Sequence, residues 1–164
     1  MTAPSERAYI GIGSNLSDPV AQVTSAFDAL ARLPRSRLVA RSHLYRSAPW
    51  GVAAQPDFVN AAAAVETGLS PSELLRALLE IERARGRERG ADRWGPRVLD
   101  LDLLVHGERI VDEPGVRVPH PHLHERAFAL VPLADVAPDL EIPGRGAIRD
   151  LLAAIGANPC RRLD

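Results

Sequence analysis

The chain of 164 residues carries 20 basic and 21 acidic residues, so its net charge of -1 gives no electrostatic reason to expect a nucleic-acid or membrane partner. All of the basic residues are arginines, and the absence of lysine excludes a Walker A phosphate loop and any mechanism that uses a catalytic lysine. The single cysteine, Cys160, cannot form an internal disulfide, and no stretch has the length of a signal-peptide core or a membrane span, so the sequence predicts a protein of the reducing cytoplasm.

The first half of the chain predicts a strand, a helix and two further strands. The strand covers residues 8–15, and the helix after it begins behind the N-cap Asp18, with Pro19 at its first position, and ends at Pro34. The segment "GIGSNL" is not a dinucleotide-binding fingerprint, because Leu16 stands where its third glycine is required. The two further strands are predicted over 36–49 and 57–67, with a loop rich in proline and glycine between them.

The second helix has the clearest boundaries in the sequence. Ser70 is the predicted N-cap, and Pro71 follows it at the first helical position. Glu73 completes a capping box with Ser70, and Gly86 is the predicted stop. The apolar stripe of this helix is predicted to run through Leu75, Leu78 and Leu79 and to reach Glu82. A carboxylate at that position is expected at the edge of the core instead of in water.

The remaining elements complete a recognisable order. A strand is predicted over 97–107, an irregular segment over 118–140 with a helical turn or two near 125–131, and a short helix over 147–155. The order β-α-β-β-α-β predicts an α/β (α+β) protein with a ferredoxin-like core, in which a mostly antiparallel sheet carries helices on one face. We expect a single domain over 8–164 behind a flexible tail over 1–7.

Two aspartates stand out in the predicted strand "RVLDLDLLVHG". Because side chains alternate along a strand, Asp100 and Asp102 point to one face about 6.5 to 7 Å apart, and the neighbouring leucines point to the other. Two carboxylates on one face of an apolar strand repel each other unless a cation lies between them. Mg²⁺ together with phosphate oxygens and water fits such a pair. Two hydrated aspartates at a solvent-facing edge are the alternative.

Six arginines precede this aspartate pair within fifteen residues, interrupted by glycine and proline. They are Arg83, Arg85, Arg87, Arg89, Arg93 and Arg97. Guanidinium groups bind phosphate oxygens two at a time, and a glycine-rich loop can fold over a bound polyphosphate, so we expect residues 86–96 to form a lid. A solvated helix end, partly neutralised by nearby carboxylates, is the alternative for the run taken alone. The aspartate pair directly behind it favours a phosphate-plus-metal site.

Three histidines alternate in "VPHPHLHER", and they are His120, His122 and His124. A tridentate zinc site is disfavoured, because Pro119 and Pro121 interrupt a regular strand and no carboxylate-histidine motif accompanies the histidines. His120 and Arg126 are better explained as phosphate contacts.

The chain has few aromatic residues, and most of them lie in or next to the loop motifs. Those four are Trp50, Phe58, Trp94 and Phe128. Their placement predicts a flat ring system bound between aromatic faces. Ordinary core packing is the alternative for Phe58 and Phe128.

Taken in order, five motifs resemble the successive signatures of the 6-hydroxymethyl-7,8-dihydropterin pyrophosphokinase family. They are "IGSNL", "YRSAPWG", "QPDFVNAA", "GRERGADRWGPRVLDLDLL" and "VPHPHLHERAFALVPL", and they span roughly residues 8–140. The resemblance implies a monomeric ferredoxin-like enzyme that transfers the β,γ-diphosphate of ATP to the pterin hydroxymethyl group. It also implies release of AMP and the use of two magnesium ions.

The resemblance carries the family's functional residues onto this chain position by position. The catalytic positions are Arg87, Arg97, Asp100 and Asp102, of which the two aspartates also bind the metal. The ATP-binding positions are Glu82, Arg89, Leu103, His120 and Arg126. The pterin-binding positions are Ser47, Ala48, Trp50, Phe58, Asn60, Trp94 and Phe128, where Trp94 belongs to the loop expected to close over the ligands.

Three positions depart from the family pattern. His122 stands where many relatives have arginine, Leu79 where some have a polar glutamine, and Trp50 where a smaller aliphatic residue is common. These departures concern ATP affinity and the shape of the pterin pocket. The alternatives are another magnesium-dependent phosphoryl or nucleotidyl transferase, or a non-enzymatic RNA-binding domain of similar fold, which the net charge and the placement of the aromatics disfavour.

Overall fold

A computed structural model describes residues 5–16, 18–47, 57–85, 98–156 and 160–163 of the chain. Its strands are β1 (Glu6–Ser14), β2 (Ser36–Arg41), β3 (Tyr45–Ser47), β4 (Phe58–Thr67), β5 (Asp100–His106), β6 (Val111–Glu113), β7 (Val116–Val118), β8 (Glu141–Ile142), β9 (Gly146–Ala147) and β10 (Arg161–Arg162). Its helices are α1 (Pro19–Ala31), α2 (Pro71–Ala84), α3 (Ala127–Val136) and α4 (Ile148–Ile155), and a 3₁₀ turn spans Leu123–Glu125. None of the helices in these ranges is long and apolar enough to cross a membrane.

A six-stranded sheet forms the centre of the molecule. β1 lies between β5 and β4 and pairs antiparallel with both. β2 and β3 both pair with β4, and β10 pairs with β3. With β2 and β3 counted as one interrupted strand, the order β-α-β-β-α-β and the antiparallel pairing confirm the predicted ferredoxin-like core.

Both long N-terminal helices begin where the capping residues predict. The Asp18 side chain accepts a hydrogen bond from the Ala21 amide (3.4 Å), and Pro19 follows as the first helical residue. At α2 the Ser70 hydroxyl accepts from the Glu73 amide (3.2 Å), and the Glu73 carboxylate accepts from the Ser70 amide (2.9 Å). This reciprocal pair is the predicted capping box.

The buried stripe of α2 differs by one position from the prediction. Leu74, Leu78 and Glu82 are buried at a spacing of four residues, whereas Leu79 is 39 % exposed. Leu75 is only partly buried and packs at the margin of the core. The prediction was wrong for Leu79 because Leu74, Leu75, Leu78 and Leu79 offer two adjacent stripes, and only contact with β5 selects one.

Each face of the sheet is covered by its own core. On the first face, alternate residues of β1, β4 and β5 pack with α1 and α2. On the second face, a smaller core joins Tyr9, Ala64, Leu104 and Val105 to α3 and α4. The prediction of helices on one face was therefore wrong for the C-terminal third of the chain, whose helix α3 contacts β4.

Several elements differ from the sequence expectations. β1 begins at Glu6, so Glu6 and Arg7 belong to a strand and not to the predicted tail. The predicted strand 36–49 is divided by Ser42, whose hydroxyl accepts from the Ala62 amide (2.8 Å) and so substitutes for a main-chain partner. The hairpin of β6 and β7, the short strands β8 to β10 and the full length of α3, which continues through Pro132, were not predicted.

Candidate active site

The two aspartates of β5 lie on one face of the sheet, as predicted. Leu101 and Leu103 belong to the first core, so Asp100 and Asp102 point to the second face. Their cross-strand partners on β1 are Gly13 and Gly11, respectively. Because residues directly opposite in an antiparallel pair project to the same face, no side chain stands on β1 beside either carboxylate. The two glycines form a lane along β1, and the Leu104 side chain packs over its Gly11 end, where an added Cβ would lie 3.3 Å from Leu104 Cδ1.

Polar and aromatic groups lie across this lane on β4 and β3. Gly13 pairs with Asn60 on its other side, so Asp100 and Asn60 are two strands apart, about 10 Å. The Asn60 amide Nδ2 donates to the Ser47 hydroxyl (2.6 Å), and both residues are buried. Phe58 projects to the same face, since a Cβ added at Gly13 would lie 3.9 Å from its ring and 3.3 Å from the Asn60 Oδ1. The sheet therefore brings Ser47, Phe58 and Asn60 together.

The first turn of α3 supplies a second aromatic ring above the same face. Phe128 packs against the second core, and the Arg126 guanidinium carbon lies 5.6 Å from the centroid of its ring. Arg126 is the last residue before α3, and its carbonyl accepts from the amides of Ala129 and Leu130. The beginning of α3 therefore fixes the Phe128 side chain and the main chain of Arg126.

His120 interacts electrostatically with both Asp100 and Arg126. Its pKa is lowered to about 4, first by burial and then by the positive charges of Arg126 and His122, while Asp100 opposes the shift. The imidazole is therefore neutral near pH 7. Because its Nδ1 accepts from the His122 amide (3.3 Å), the ring carries its proton on Nε2 and can donate from that atom.

A pocket of about 390 Å³ opens at the free edge of β5. Asp102, Leu103 and His120 line it together with Leu75 of α2 and residues of the β6–β7 hairpin. The Leu101 amide points away from β1, since it donates to Glu82, and the main-chain groups of Leu103 point the same way because peptide directions alternate along a strand. The pocket thus combines apolar side chains, main-chain groups of β5 and the Asp102 carboxylate.

Glu82 has a structural contact that the sequence did not predict. Its carboxylate is 2 % exposed, and Oε2 accepts from the Leu101 amide (2.7 Å). The bond joins the C-terminal part of α2 to β5 between the two aspartates. A contact between Glu82 and ATP stays a prediction.

Six predicted site residues lie outside the described residues. They are Ala48, Trp50, Arg87, Arg89, Trp94 and Arg97. The predicted lid over 86–96 lies outside them as well. Among the residues that are described, no group of three or more His, Cys, Asp or Glu side chains is arranged to hold a metal ion.

Sequence reasoning missed three residues that shape the site. Gly11 and Gly13 were considered only as a nucleotide fingerprint, although glycines two apart in a strand are a signal for a close approach on one face. Arg117 lines the pocket at the edge of β5, where its Nε lies 3.1 Å from the Asp112 carboxylate across the hairpin. No local pattern indicated that the hairpin lies beside β5.

Sequence comparisons give one family and several close relatives. The 7,8-dihydro-6-hydroxymethylpterin-pyrophosphokinase (HPPK) family matches residues 9–138. The 2-amino-4-hydroxy-6-hydroxymethyldihydropteridine pyrophosphokinase of Pseudomonas aeruginosa is 51 % identical over 96 % of this chain and 97 % of its own length. The protein of the same name from Methylorubrum extorquens is 46 % identical over 96 % of this chain and 99 % of its own length.

Solved structures with the same fold are larger proteins. The wild-type HPPK-DHPS of Plasmodium falciparum, solved with pterin and p-hydroxybenzoate, aligns with a TM-score of 0.72 and 13 % identity, covering 98 % of this chain. An HPPK-DHPS in complex with substrates aligns with a TM-score of 0.73 and 11 % identity. The chain spans 47 % and 43 % of these two proteins, and at such identities the likeness concerns the fold alone.

Proposed function

This chain belongs to the 7,8-dihydro-6-hydroxymethylpterin-pyrophosphokinase family, and from this membership we propose how its residues carry out the reaction. The protein is an ATP-dependent diphosphokinase of folate biosynthesis. It transfers the β,γ-diphosphate of ATP to the hydroxymethyl group of 6-hydroxymethyl-7,8-dihydropterin and releases AMP.

One observation carries the assignment of residues. One row of paired residues crosses β5, β1 and β4, and its members are Asp100, Gly13 and Asn60. A carboxylate lies at one end of the row, an amide at the other, and a glycine between them. A phosphate-metal complex and a flat heterocycle can lie side by side on such a row. This supports a site in which the pterin hydroxyl lies next to the phosphate chain.

The pterin lies at the β3–β4 end in this proposal. Phe58 and Phe128 supply aromatic faces for stacking, and Asn60, oriented by the Ser47 hydroxyl, supplies hydrogen bonds to the ring edge. Ala48, Trp50 and Trp94 complete the pterin site on the strength of the sequence motifs. Gly13 lets the ring approach the sheet.

Asp100 and Asp102 fit magnesium. Two partly buried carboxylates on one face, with glycines opposite them on β1, suit a magnesium ion whose shell is completed by phosphate oxygens and waters. We propose that these two residues hold two ions that come with ATP. When bound, the ions neutralise phosphate charge and lower the pKa of the attacking hydroxyl.

The adenosine end of ATP occupies the pocket at the free edge of β5. The main-chain groups of Leu103 can recognise the edge of a base, and Leu75 and Val116 can cover its faces. His120, neutral and donating from Nε2, contacts a phosphate or ribose oxygen, and Arg126 contacts a phosphate. Glu82 and Arg89 are assigned to this side by the sequence motifs.

The chemical step demands positioning and charge neutralisation. The pterin oxygen attacks the β-phosphorus, and the bond from that phosphorus to the α-phosphate oxygen breaks, so AMP leaves. Arg87 and Arg97 stabilise the charge on the transferred group in this proposal. A dedicated general base is not required, because attack by an alcohol on phosphorus needs little covalent assistance. We also propose that the enzyme acts as a monomer in the cytoplasm.

The decisive experiment is product analysis. The protein is incubated with ATP, Mg²⁺ and 6-hydroxymethyl-7,8-dihydropterin, and we expect AMP and the pterin diphosphate in equal amounts. A parallel reaction without pterin should release no AMP. Formation of ADP would indicate transfer of a single phosphoryl group, and formation of inorganic pyrophosphate would indicate nucleotidyl transfer, and either product would contradict the proposal.

A further inference from the structure

The segment 120–126 presents two ATP-side residues and yet belongs to no long element. It begins at His120, whose amide donates to the Leu104 carbonyl (2.8 Å), and ends at Arg126, whose amide donates to Leu123 (3.2 Å). Between them the chain makes a single 3₁₀ turn, closed by bonds of 3.0 and 3.1 Å. A turn of this length has little stability of its own. The buried Leu123 anchors the turn in the second core, and contacts from outside the turn fix the rest of its path.

Arg145 contacts this turn from the C-terminal part of the chain. Its Nη2 donates to the Pro121 carbonyl (3.2 Å), and its Nη1 contacts the His124 ring, with Nε2 at 3.0 Å. The Nη1 atom lies against both ring nitrogens of His124, Nδ1 and Nε2. The rigid guanidinium fork thus joins two points of the turn that are three residues apart.

The base of Arg145 is itself held firmly. Arg145 lies in the tight turn between β8 and β9, where its amide donates to the Ile142 carbonyl (2.9 Å). Ile142 is buried in the second core. Gly144 and Gly146 on either side have positive φ angles of 73° and 102°, which favour glycine and fix the path of the turn. The contact of Arg145 therefore ties the turn 120–126 to the second core.

We propose that Arg145 is a positioning residue for the ATP site, a role that rests on the proposed function. It holds the turn 120–126 so that His120 faces the pocket at the edge of β5 and Arg126 faces the phosphates. The pterin side does not depend on it, because Phe128 belongs to α3. That helix is anchored separately by the buried Leu130 and by the bond from the Tyr45 hydroxyl to Asp135 (2.7 Å).

The test compares Arg145→Ala, Arg145→Lys and the control Arg149→Ala, which removes an exposed arginine of α4. For Arg145→Ala we expect the ATP KM, and the Kd of a non-hydrolysable ATP analogue with Mg²⁺ measured by calorimetry, to rise about 10-fold, the size expected when bonds from a charged donor are lost. The kcat and the pterin KM should change less than about 3-fold. Lysine retains the charge without the fork and should recover only part of the ATP affinity.

Several outcomes would overturn the proposal. Unchanged ATP affinity in Arg145→Ala would do so, and so would equal losses in the pterin KM and the ATP KM. If Arg145→Ala does not fold, His124→Ala removes one of the two contacts and should raise the ATP KM in the same direction by a smaller factor. AMP formation by the unaltered enzyme tests the proposed function independently, so failure of the positioning role leaves that result intact.

Discussion

The two faces of the central sheet are built from the same strands but have different roles, one in packing and one in the candidate active site. On the first face, alternate residues of β1, β4 and β5 are apolar and fully covered by α1 and α2. On the second face, α3 and α4 pack on a smaller core, and the same face also carries Asp100, Phe58 and the buried Asn60, next to Gly13. The alternation of a strand therefore lets adjacent residues serve stability and chemistry separately.

The largest effect on activity is expected from a change at Asp102, on the second face. Asp102→Asn preserves the shape of the side chain and removes its charge, so we expect kcat/KM to fall by roughly 10³-fold, because the site loses part of its affinity for the metal that neutralises the phosphates. The fold should be unaffected. Steady-state AMP formation at increasing Mg²⁺ measures the effect, and turnover that returns to normal at saturating Mg²⁺ would contradict the metal role.

Leu101→Ala is the matched control, because Leu101 adjoins Asp102 and projects to the other face. It is 4 % exposed in the first core. We expect it to lower the free energy of unfolding by about 2 to 4 kcal/mol, measured by chemical denaturation. Under conditions where the variant is folded, kcat should stay within a few-fold of the unaltered enzyme. If the two variants lose stability and activity in the same proportion, the division between the faces is not real.

The first face could be predicted from the sequence because its signals are local. The capping box at Ser70, the N-cap Asp18 and the alternation around Asp100 and Asp102 each depend on residues a few positions apart. The motif resemblance then identified the family. The order of elements along the chain was enough to predict the ferredoxin-like sheet.

The packing of the second face could not be predicted because its parts meet only in the folded chain. A register shift in the pairing of β1 and β5, between Tyr9 and Ile10, places both Leu104 and Val105 in the second core, and a strict alternation would separate them. α3 continues through Pro132, which a sequence pattern treats as a helix breaker. The contact of Arg145 with the turn 120–126 spans more than twenty residues and has no local signature.

The variant Gly13→Ala tests the role of the glycine lane in pterin binding. In Gly13→Ala the new methyl group would lie 3.3 Å from the Asn60 Oδ1 and close to Phe58, on the surface where the pterin is proposed to lie. We expect the pterin KM to rise about 10-fold or more, an effect of the size that overpacking produces. Calorimetric affinity for an ATP analogue with Mg²⁺ should change little, since the pocket at the edge of β5 is not altered.

The stability of Gly13→Ala separates a blocked site from a damaged fold. Alanine in a strand is ordinarily favoured over glycine by roughly 0.5 to 1 kcal/mol, which offsets the crowding at Asn60, so the free energy of unfolding should not fall. A variant that binds pterin normally would show that the lane is not part of the pterin site. A variant that loses both ligands equally would indicate a distorted sheet.

The smallest expected effect is a loss of stability at acidic pH. It arises from His120, which belongs to the candidate active site. Its pKa is about 4 in the folded chain against an ordinary 6.5, because burial and the charges of Arg126 and His122 disfavour the protonated ring. As the pH falls from 6.5 to 4, the unfolded chain binds a proton before the folded chain does. The free energy of unfolding therefore decreases across that window. Below pH 4 both states are protonated, so His120 causes no further decrease. The full shift corresponds to about 3 kcal/mol, and the exposed part of the ring reduces the expected loss to about 1 to 2 kcal/mol.

Chemical denaturation between pH 7 and pH 4 measures this loss. His120→Gln should reduce the pH dependence of the unfolding free energy by about 1 to 2 kcal/mol across the window, because glutamine does not titrate. His43→Gln, at an exposed histidine between β2 and β3, should retain the full dependence. If His120→Gln has the same pH dependence as the unaltered chain, the neutral buried imidazole is not a feature of the ligand-free enzyme, and its proposed donation to ATP from Nε2 loses its basis.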